Sequence, residues 1–249
     1  TYIATGGGGN GSGNTLIKIQ QNGVQQFAVY TGMTSANFAV GAASGNVYVV
    51  GSTTISSYSA MTVQKYDSSG TLQWQKQNVV GGTHIYGSSI TLDASENIYI
   101  AGNKTSESGN NGVPIVWKIN SSGTLQWAKT YGSAYYITKG TSIAYDSGSS
   151  SIFFGVNYSD AALSTFRYGL VKASASTGAF TSGLGLHTSN NVPSVQTYVA
   201  SDGNGNIYTL GSRYVSANTF GWEIWKHSAS AFTQTWARET QYGSAYNSY

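Results

Sequence analysis

Apolar and polar residues alternate in short runs along the whole chain, and clusters of Gly, Ser, Asn and Asp separate the runs. A two-residue period bounded by turn formers reads as β-strand. The stretch from Ser89 to Lys129 shows the scheme most plainly. It predicts strands over Ser89–Asp93, Asn97–Ala101, Ile115–Asn120 and Thr124–Lys129. Tight turns at Ala94–Glu96 and Ser121–Gly123 and a loop over Gly102–Gly112 join them, with Gly and Asn supplying the positive φ that hairpins need. Only two Pro occur and no 3.6-residue apolar stripe exists, so no helix of consequence is expected.

The runs recur as a unit. Asp93-Ala-Ser-Glu-Asn-Ile-Tyr-Ile-Ala-Gly102 aligns without a gap on Asp202-Gly-Asn-Gly-Asn-Ile-Tyr-Thr-Leu-Gly211. Ser44 to Gly51 is a third copy. Asp146 to Gly155 is a fourth, with Ile152 where Tyr belongs, and Thr1 to Gly6 is a fifth entered partway. A second motif follows each copy: Val63 to Trp74 and Val116 to Trp127 share Lys, Ser-Ser-Gly-Thr-Leu-Gln and the closing Trp. One Lys recurs in all five, at Lys18, Lys65, Lys118, Lys172 and Lys226, with spacings of 47, 53, 54 and 54 residues. The repeats run over about 1–38, 39–88, 89–141, 142–197 and 198–249, within one domain spanning 1–249.

Four antiparallel strands in each such unit make a propeller blade. A lone blade leaves both faces sticky, and stacking blades about an axis buries them. A solenoid would need distinct terminal caps, which neither end shows. The expected fold is therefore all-β: a five-bladed β-propeller of four-stranded antiparallel blades, its ring closed by the N- and C-terminal segments. Thr1 enters at a second strand, so an innermost strand must come from elsewhere. The tail Tyr242–Tyr249, which echoes Tyr131–Tyr135, or a neighbouring subunit is expected to supply it. The opening on Thr1 points to a removed leader or a fragment.

The pattern Asp-x-x-x-Asn-Ile-Tyr-x-x-Gly, then Lys, then Ser-Gly-x-x-x-Trp, resembles the bacterial β-propeller repeat called SBBP-type, over nearly the whole chain. The resemblance implies a propeller and is almost silent on activity. Its members occur in secreted and surface proteins. The first, fourth and fifth units depart from the motif, and the family is often described with seven blades.

Composition narrows the function classes. Charged residues form 8% of the chain and the net charge is +3 without a basic run, which argues against a nucleic-acid groove. Cys is absent, excluding disulfides, thiolate zinc sites and a Cys nucleophile. No stretch approaches the ~20 apolar residues of a membrane helix. Abundant Tyr with 40% hydrophobic residues favours a folded β protein. The low-charge Gly, Ser, Thr, Asn and Tyr surface resembles that of phage fibre proteins and secreted adhesins.

Candidate chemistry is sparse. Gly6 to Gly11 matches GxGxxG, but a strand follows it where a dinucleotide site needs a helix. Asp202 to Asn206 opens like a calcium loop, yet Ile207 and Arg213 stand where such a loop needs Gly and Glu. A turn in which Asp or Asn bonds its own backbone is the better reading. The nine acids sit mostly at turn or repeat positions, and His84, His187 and His227 occupy unrelated places, so no catalytic arrangement is readable and no enzyme is expected. Neither cofactor nor metal is expected.

The Lys column is expected to lay its methylenes on a neighbouring blade and to give its ammonium to an acceptor, Asp93, Asp146 and Asp202 being candidates. Trp74, Trp127 and Trp236 close their units and are expected to fill the space between blades. Trp117, Trp222 and Trp225, with the loop residues Tyr58, Tyr135, Tyr136 and Tyr214, are candidate stacking platforms for a sugar. Two functions compete. One is a non-enzymatic structural or interaction protein of an outer surface, a virion fibre or decoration component that assembles with other subunits. The other is a carbohydrate-binding, lectin-like propeller, secreted or on the cell surface, similar in size to the tachylectin-type lectins. Extracellular space or a virion surface is the expected location.

Overall fold

The computed structural model describes residues 2–5, 14–78, 81–106, 112–132, 139–159, 165–190, 197–216 and 219–242. These form nineteen strands in five antiparallel sheets, and the chain divides into two compact units, Thr1–Gly132 and Ser133–Tyr249. No helix occurs among the described residues.

In the first unit, β1 (Tyr2–Thr5), β2 (Thr15–Ile19) and β3 (Gln25–Tyr30) form a three-stranded sheet. The second sheet is β4 (Ser35–Gly41), β5 (Val47–Ile55), β6 (Tyr58–Tyr66) and β7 (Leu72–Asn78). The third is β8 (Thr83–Leu92), β9 (Ile98–Ser106), β10 (Gly112–Ile119) and β11 (Leu125–Thr130). The second unit holds β12 (Lys139–Asp146), β13 (Ser151–Ser159), β14 (Thr165–Ser174) and β15 (Phe180–Asn190). It also holds β16 (Thr197–Ser201), β17 (Asn206–Ser216), β18 (Thr219–Ser228) and β19 (Gln234–Tyr242). Strands lie in sequence order within every sheet, as consecutive hairpins require. The tail beyond Tyr242, expected to close a ring, lies outside the described residues.

Alternation along β5 shows how the sheets hold together. Val47 and Val49 join a core cluster with Leu16, Met33 and Ala36, next to the first sheet. Tyr48 and Val50 point the other way and join Met61, Val63, Ile98, Ile100 and Trp117 with the third sheet. A strand buried on both faces loses the polar half of its alternation, which is why the repeat reads Asn-Ile-Tyr-Ile-Ala rather than apolar-polar. In the second unit, Phe153, Tyr168 and Leu170 pack on Val199, Ile207, Ala229 and Phe232 in the same way.

The strands are longer than the sequence predicts. β8 begins at Thr83, because a register shift between Gly87 and Ser89 interrupts the alternation there without ending the ladder. The motif glycine sits opposite this bulge: a Cβ at Gly102 would overlap the Tyr86 carbonyl oxygen. The fourth copy is corrected by one residue. From the turn Asp to the aromatic it is one residue longer (Asp146 to Phe153 against Asp93 to Tyr99), so Phe153, not Ile152, faces Lys172 as Tyr99 faces Lys118.

The Lys column is tied down by two contacts. Lys65 Nζ stands 5.5 Å from the Tyr48 ring centre and donates to the Ser121 carbonyl of the next sheet at 3.2 Å. Lys172 repeats this over Phe153 at 5.7 Å and donates to the Ala229 carbonyl at 2.6 Å. Lys18, Lys118 and Lys226 lie over Phe27, Tyr99 and Tyr208. The acceptors found for Lys18, Lys65 and Lys172 are thus turn carbonyls rather than the recurring aspartates. Those carboxylates serve their own turns: Asp93 Oδ1 accepts the backbone N–H of Ser95 and of Asn97, both at 2.9 Å. Asp202 does the same for Asn204 and Asn206.

Candidate functional site

The aromatic residues singled out by sequence separate into distinct environments. Trp117 is only 4% exposed and belongs to the core of the first unit, so it offers no platform. The repeat explains this: Trp117 precedes the column Lys118, on the face that packs against the second sheet. Trp225 occupies the same position in the last repeat and is half-buried, its ring parallel to His227 at 6.3 Å. Trp222 is 44% exposed on β18. Tyr135 and Tyr136, and the side chain of Tyr214, lie outside the described residues. Trp74, Trp127 and Trp236 each pack against the tyrosine of their own sheet, Tyr48, Tyr99 and Tyr208, with ring centres 6.1, 6.3 and 6.4 Å apart. Trp236 remains 39% exposed.

A different aromatic cluster forms in the first unit, where two sheets meet. Tyr58 opens β6 directly after the two-residue turn Ser56–Ser57. His84 and Tyr86 stand two apart on β8 and therefore project from the same side of the strand. The Tyr58 and His84 ring centres are 5.7 Å apart at 56°, and His84 and Tyr86 lie 6.1 Å apart and nearly parallel at 9°. All three are partly exposed, Tyr86 at 36%.

Polar groups surround these rings. The Ser59 backbone N–H donates to His84 Nδ1 at 3.1 Å, and the Ser59 hydroxyl lies 3.4 Å from the same nitrogen. A ring nitrogen that accepts a hydrogen bond carries no proton, so the His84 hydrogen resides on Nε2 and is a donor. Thr105 is directly opposite His84, and Asn103 opposite Tyr86, in the β8–β9 ladder. Thr54, paired with Ser59, donates its backbone N–H to the Thr34 hydroxyl at 3.0 Å. Partly exposed rings bordered by hydroxyls, an amide and an imidazole N–H suit a ligand with apolar C–H faces and many hydroxyls. No carboxylate takes part, and no group of three or more potential metal ligands exists among the described residues.

Sequence reasoning named Tyr58 but missed its partners. Tyr58 and His84 stand 26 residues apart in one repeat but on different sheets, and only sheet stacking brings them together. The apolar Ile85 between His84 and Tyr86 was the local signal of a strand with both rings on one side. His227 went the other way, into the core: burial pushes its imidazole down to about 4, and among the described residues only its Nε2 has a partner, Thr209 Oγ1 at 3.3 Å.

No protein-family model and no curated protein matches the chain. Solved structures do. The Dos1 propeller aligns over 92% of this chain and 55% of its own, at 12% identity and a TM-score of 0.52. An ulvan lyase of polysaccharide lyase family PL25 aligns over 89% and 60%, at 12% identity and a TM-score of 0.55. An exo-β-1,3-galactanase of Phanerochaete chrysosporium, solved with β-1,3-galactotriose, aligns over 95% and 53%, at 12% identity and a TM-score of 0.53. The chain thus spans 53–60% of the length of these structures.

These likenesses correct one expectation. Two of the three are carbohydrate-active enzymes, so the lack of a readable catalytic motif does not make this a non-enzymatic protein. Propeller sites gather side chains from separate repeats, which leaves no spacing signature in the sequence. The virion-fibre expectation finds no support among these structures. At this identity the likeness carries the fold alone: the chain is an all-β protein with the β-propeller fold.

Proposed function

We propose that this chain is a carbohydrate-binding propeller protein of an outer surface, and that Tyr58, His84 and Tyr86 form its saccharide site. The observation that carries the reading is the partly exposed, parallel His84–Tyr86 pair closed on one side by Tyr58. A pyranose ring lays its C–H face on such rings, while the His84 Nε2–H and the neighbouring hydroxyls take its oxygens. That the ulvan lyase is a polysaccharide lyase and that the galactanase was solved with β-1,3-galactotriose makes polysaccharide the first ligand class to try. The low-charge, hydroxyl-rich composition and the SBBP-type repeat signature favour an extracellular location, with glycans and other surface proteins as partners.

A glycan array followed by titration calorimetry tests the reading. Tyr86→Ala and Tyr58→Ala are expected to weaken binding about tenfold each, since a lost ring contact is worth roughly 0.5–1.5 kcal/mol beyond its area. Trp117→Phe, in the core, should leave affinity unchanged. Absence of binding to every glycan, or equal affinity in the Tyr86→Ala variant, refutes it.

A further inference from the structure

The hairpin that carries Tyr58 is built at a cost. Ile55 pairs with Tyr58, and the two residues between them, Ser56 and Ser57, have φ of 47° and 73°. A two-residue turn with both centres left-handed is the place of Asn-Gly, because a Cβ crowds the backbone there. Ser56 and Ser57 both carry one. Beside this turn, the first backbone N–H past Tyr58 is bound from another sheet, by His84 Nδ1. That contact bridges 25 residues of sequence and ties the tip of one sheet to the first strand of the next.

We propose that His84 is a pH-operated latch for the β5–β6 tip. This regulation rests on reading Tyr58, His84 and Tyr86 as a saccharide site. With the imidazole neutral, Nδ1 accepts the Ser59 N–H, the tip is held, and Tyr58 stands against His84. A proton added at Nδ1 turns acceptor into donor, so two N–H groups oppose each other along one line. The Ser59 backbone must then move away, and the Ser59 hydroxyl, already 3.4 Å from Nδ1, accepts the new hydrogen. Releasing the backbone frees a turn whose conformation is costly by itself, and Tyr58 leaves the site with it.

Among the described residues, the groups found against His84 offer the imidazolium no compensating charge. The groups facing His84 are the phenols Tyr58 and Tyr86, with Ser59, and Thr105 lies opposite on β9. Lys104 pairs with Ile85 and so projects from the other side of the sheet. A sugar resting on Tyr58 binds only the latched state, so acidification releases it and bound sugar in turn holds His84 neutral.

The test begins without ligand. Amide and imidazole 15N spectra of the free protein are followed through the His84 titration. The Ser59 amide is expected to shift, and to lose protection from hydrogen exchange, with the same midpoint as the His84 ring. His84→Asn keeps an acceptor oxygen that does not titrate, and should hold the Ser59 amide unchanged throughout. If that variant does not fold, Ser59→Ala removes the alternative acceptor and is expected to move the ring midpoint to lower pH. A Ser59 amide indifferent to ring titration overturns the latch, as does an unmoved midpoint in Ser59→Ala. With a glycan bound, wild-type affinity should fall at least tenfold across the titration, with the same midpoint as the Ser59 amide. A Ser59 amide that follows the ring in a protein binding no glycan supports the latch and overturns only the saccharide reading.

Discussion

His227 gives the sharpest test of how the sheets of the second unit are packed. Its side chain is fully buried on β18, parallel to Trp225, and Nδ1 has no hydrogen-bond partner among the described residues. An imidazolium there loses its hydration and gains no counter-charge, so burial lowers its pKa from 6.5 to about 4. The unfolded chain then binds a proton that the folded chain refuses throughout that interval. The stabilising effect of a neutral His227 is therefore complete above about pH 6.5, declines as pH falls, and is exhausted near pH 4. The whole interval is worth about 3 kcal/mol at roughly 1.4 kcal/mol per tenfold change, and lowering pH from 7.5 to 5 costs about 2 kcal/mol of it. The carboxylates held below their usual range, Glu96, Asp146 and Asp202 among them, act in a separate window: they stabilise above about pH 4 and lose that effect only in stronger acid. Urea unfolding followed by tryptophan fluorescence at pH 7.5 and 5 measures the loss. The reference is His227→Ile, since Ile119 fills the same repeat position in the first unit and is equally buried. Wild type should lose about 2 kcal/mol more than the variant on acidification. Equal losses in the two proteins would show that His227 is hydrated, and the packing argument would be wrong.

Four further outcomes can be checked by the same unfolding assay at pH 7.5. Gly102→Ala places a methyl on the Tyr86 carbonyl, with the Met61 methyl also in its way, and should cost at least about 3 kcal/mol or abolish folding. Lys172→Met keeps the stem against Phe153 but leaves the Ala229 carbonyl without its ammonium, and a loss of about 1–3 kcal/mol is expected. Ser56→Asn combined with Ser57→Gly relieves the left-handed turn and should stabilise by about 1 kcal/mol or more. Glu96 also stands at positive φ, 57°, yet it accepts the Tyr48 hydroxyl at 2.6 Å across the sheet junction. Glu96→Gly should therefore destabilise by on the order of 1 kcal/mol, although glycine suits the backbone better; a gain would show that the junction contact contributes little.

Much of the fold was legible because a repeat states its pattern five times. The Asp-to-Asn spacing declares the turn, and Asp93 and Asp202 bond their own turn amides in the same way. The site was barely legible. Tyr58 could be named as a loop aromatic, but exposure depends on which sheet face a neighbour covers, and that misplaced Trp117. The recurring lysines pointed to acceptors, yet which acceptor lay beyond reach, because it sits one repeat away in space.

Local alternation and turn chemistry by themselves determined that this chain forms strands, how many repeats it holds and where hairpins turn, since these follow from interactions within a few residues. Tertiary structure alone decided which side chains are shared between sheets. It pairs His84 with Ser59, seats Lys65 under Ser121 and sinks His227 beside Trp225. The physical reason is that stacking energy depends on the whole buried face, so the partner of any one residue is set by the register of two sheets rather than by its neighbours in the chain.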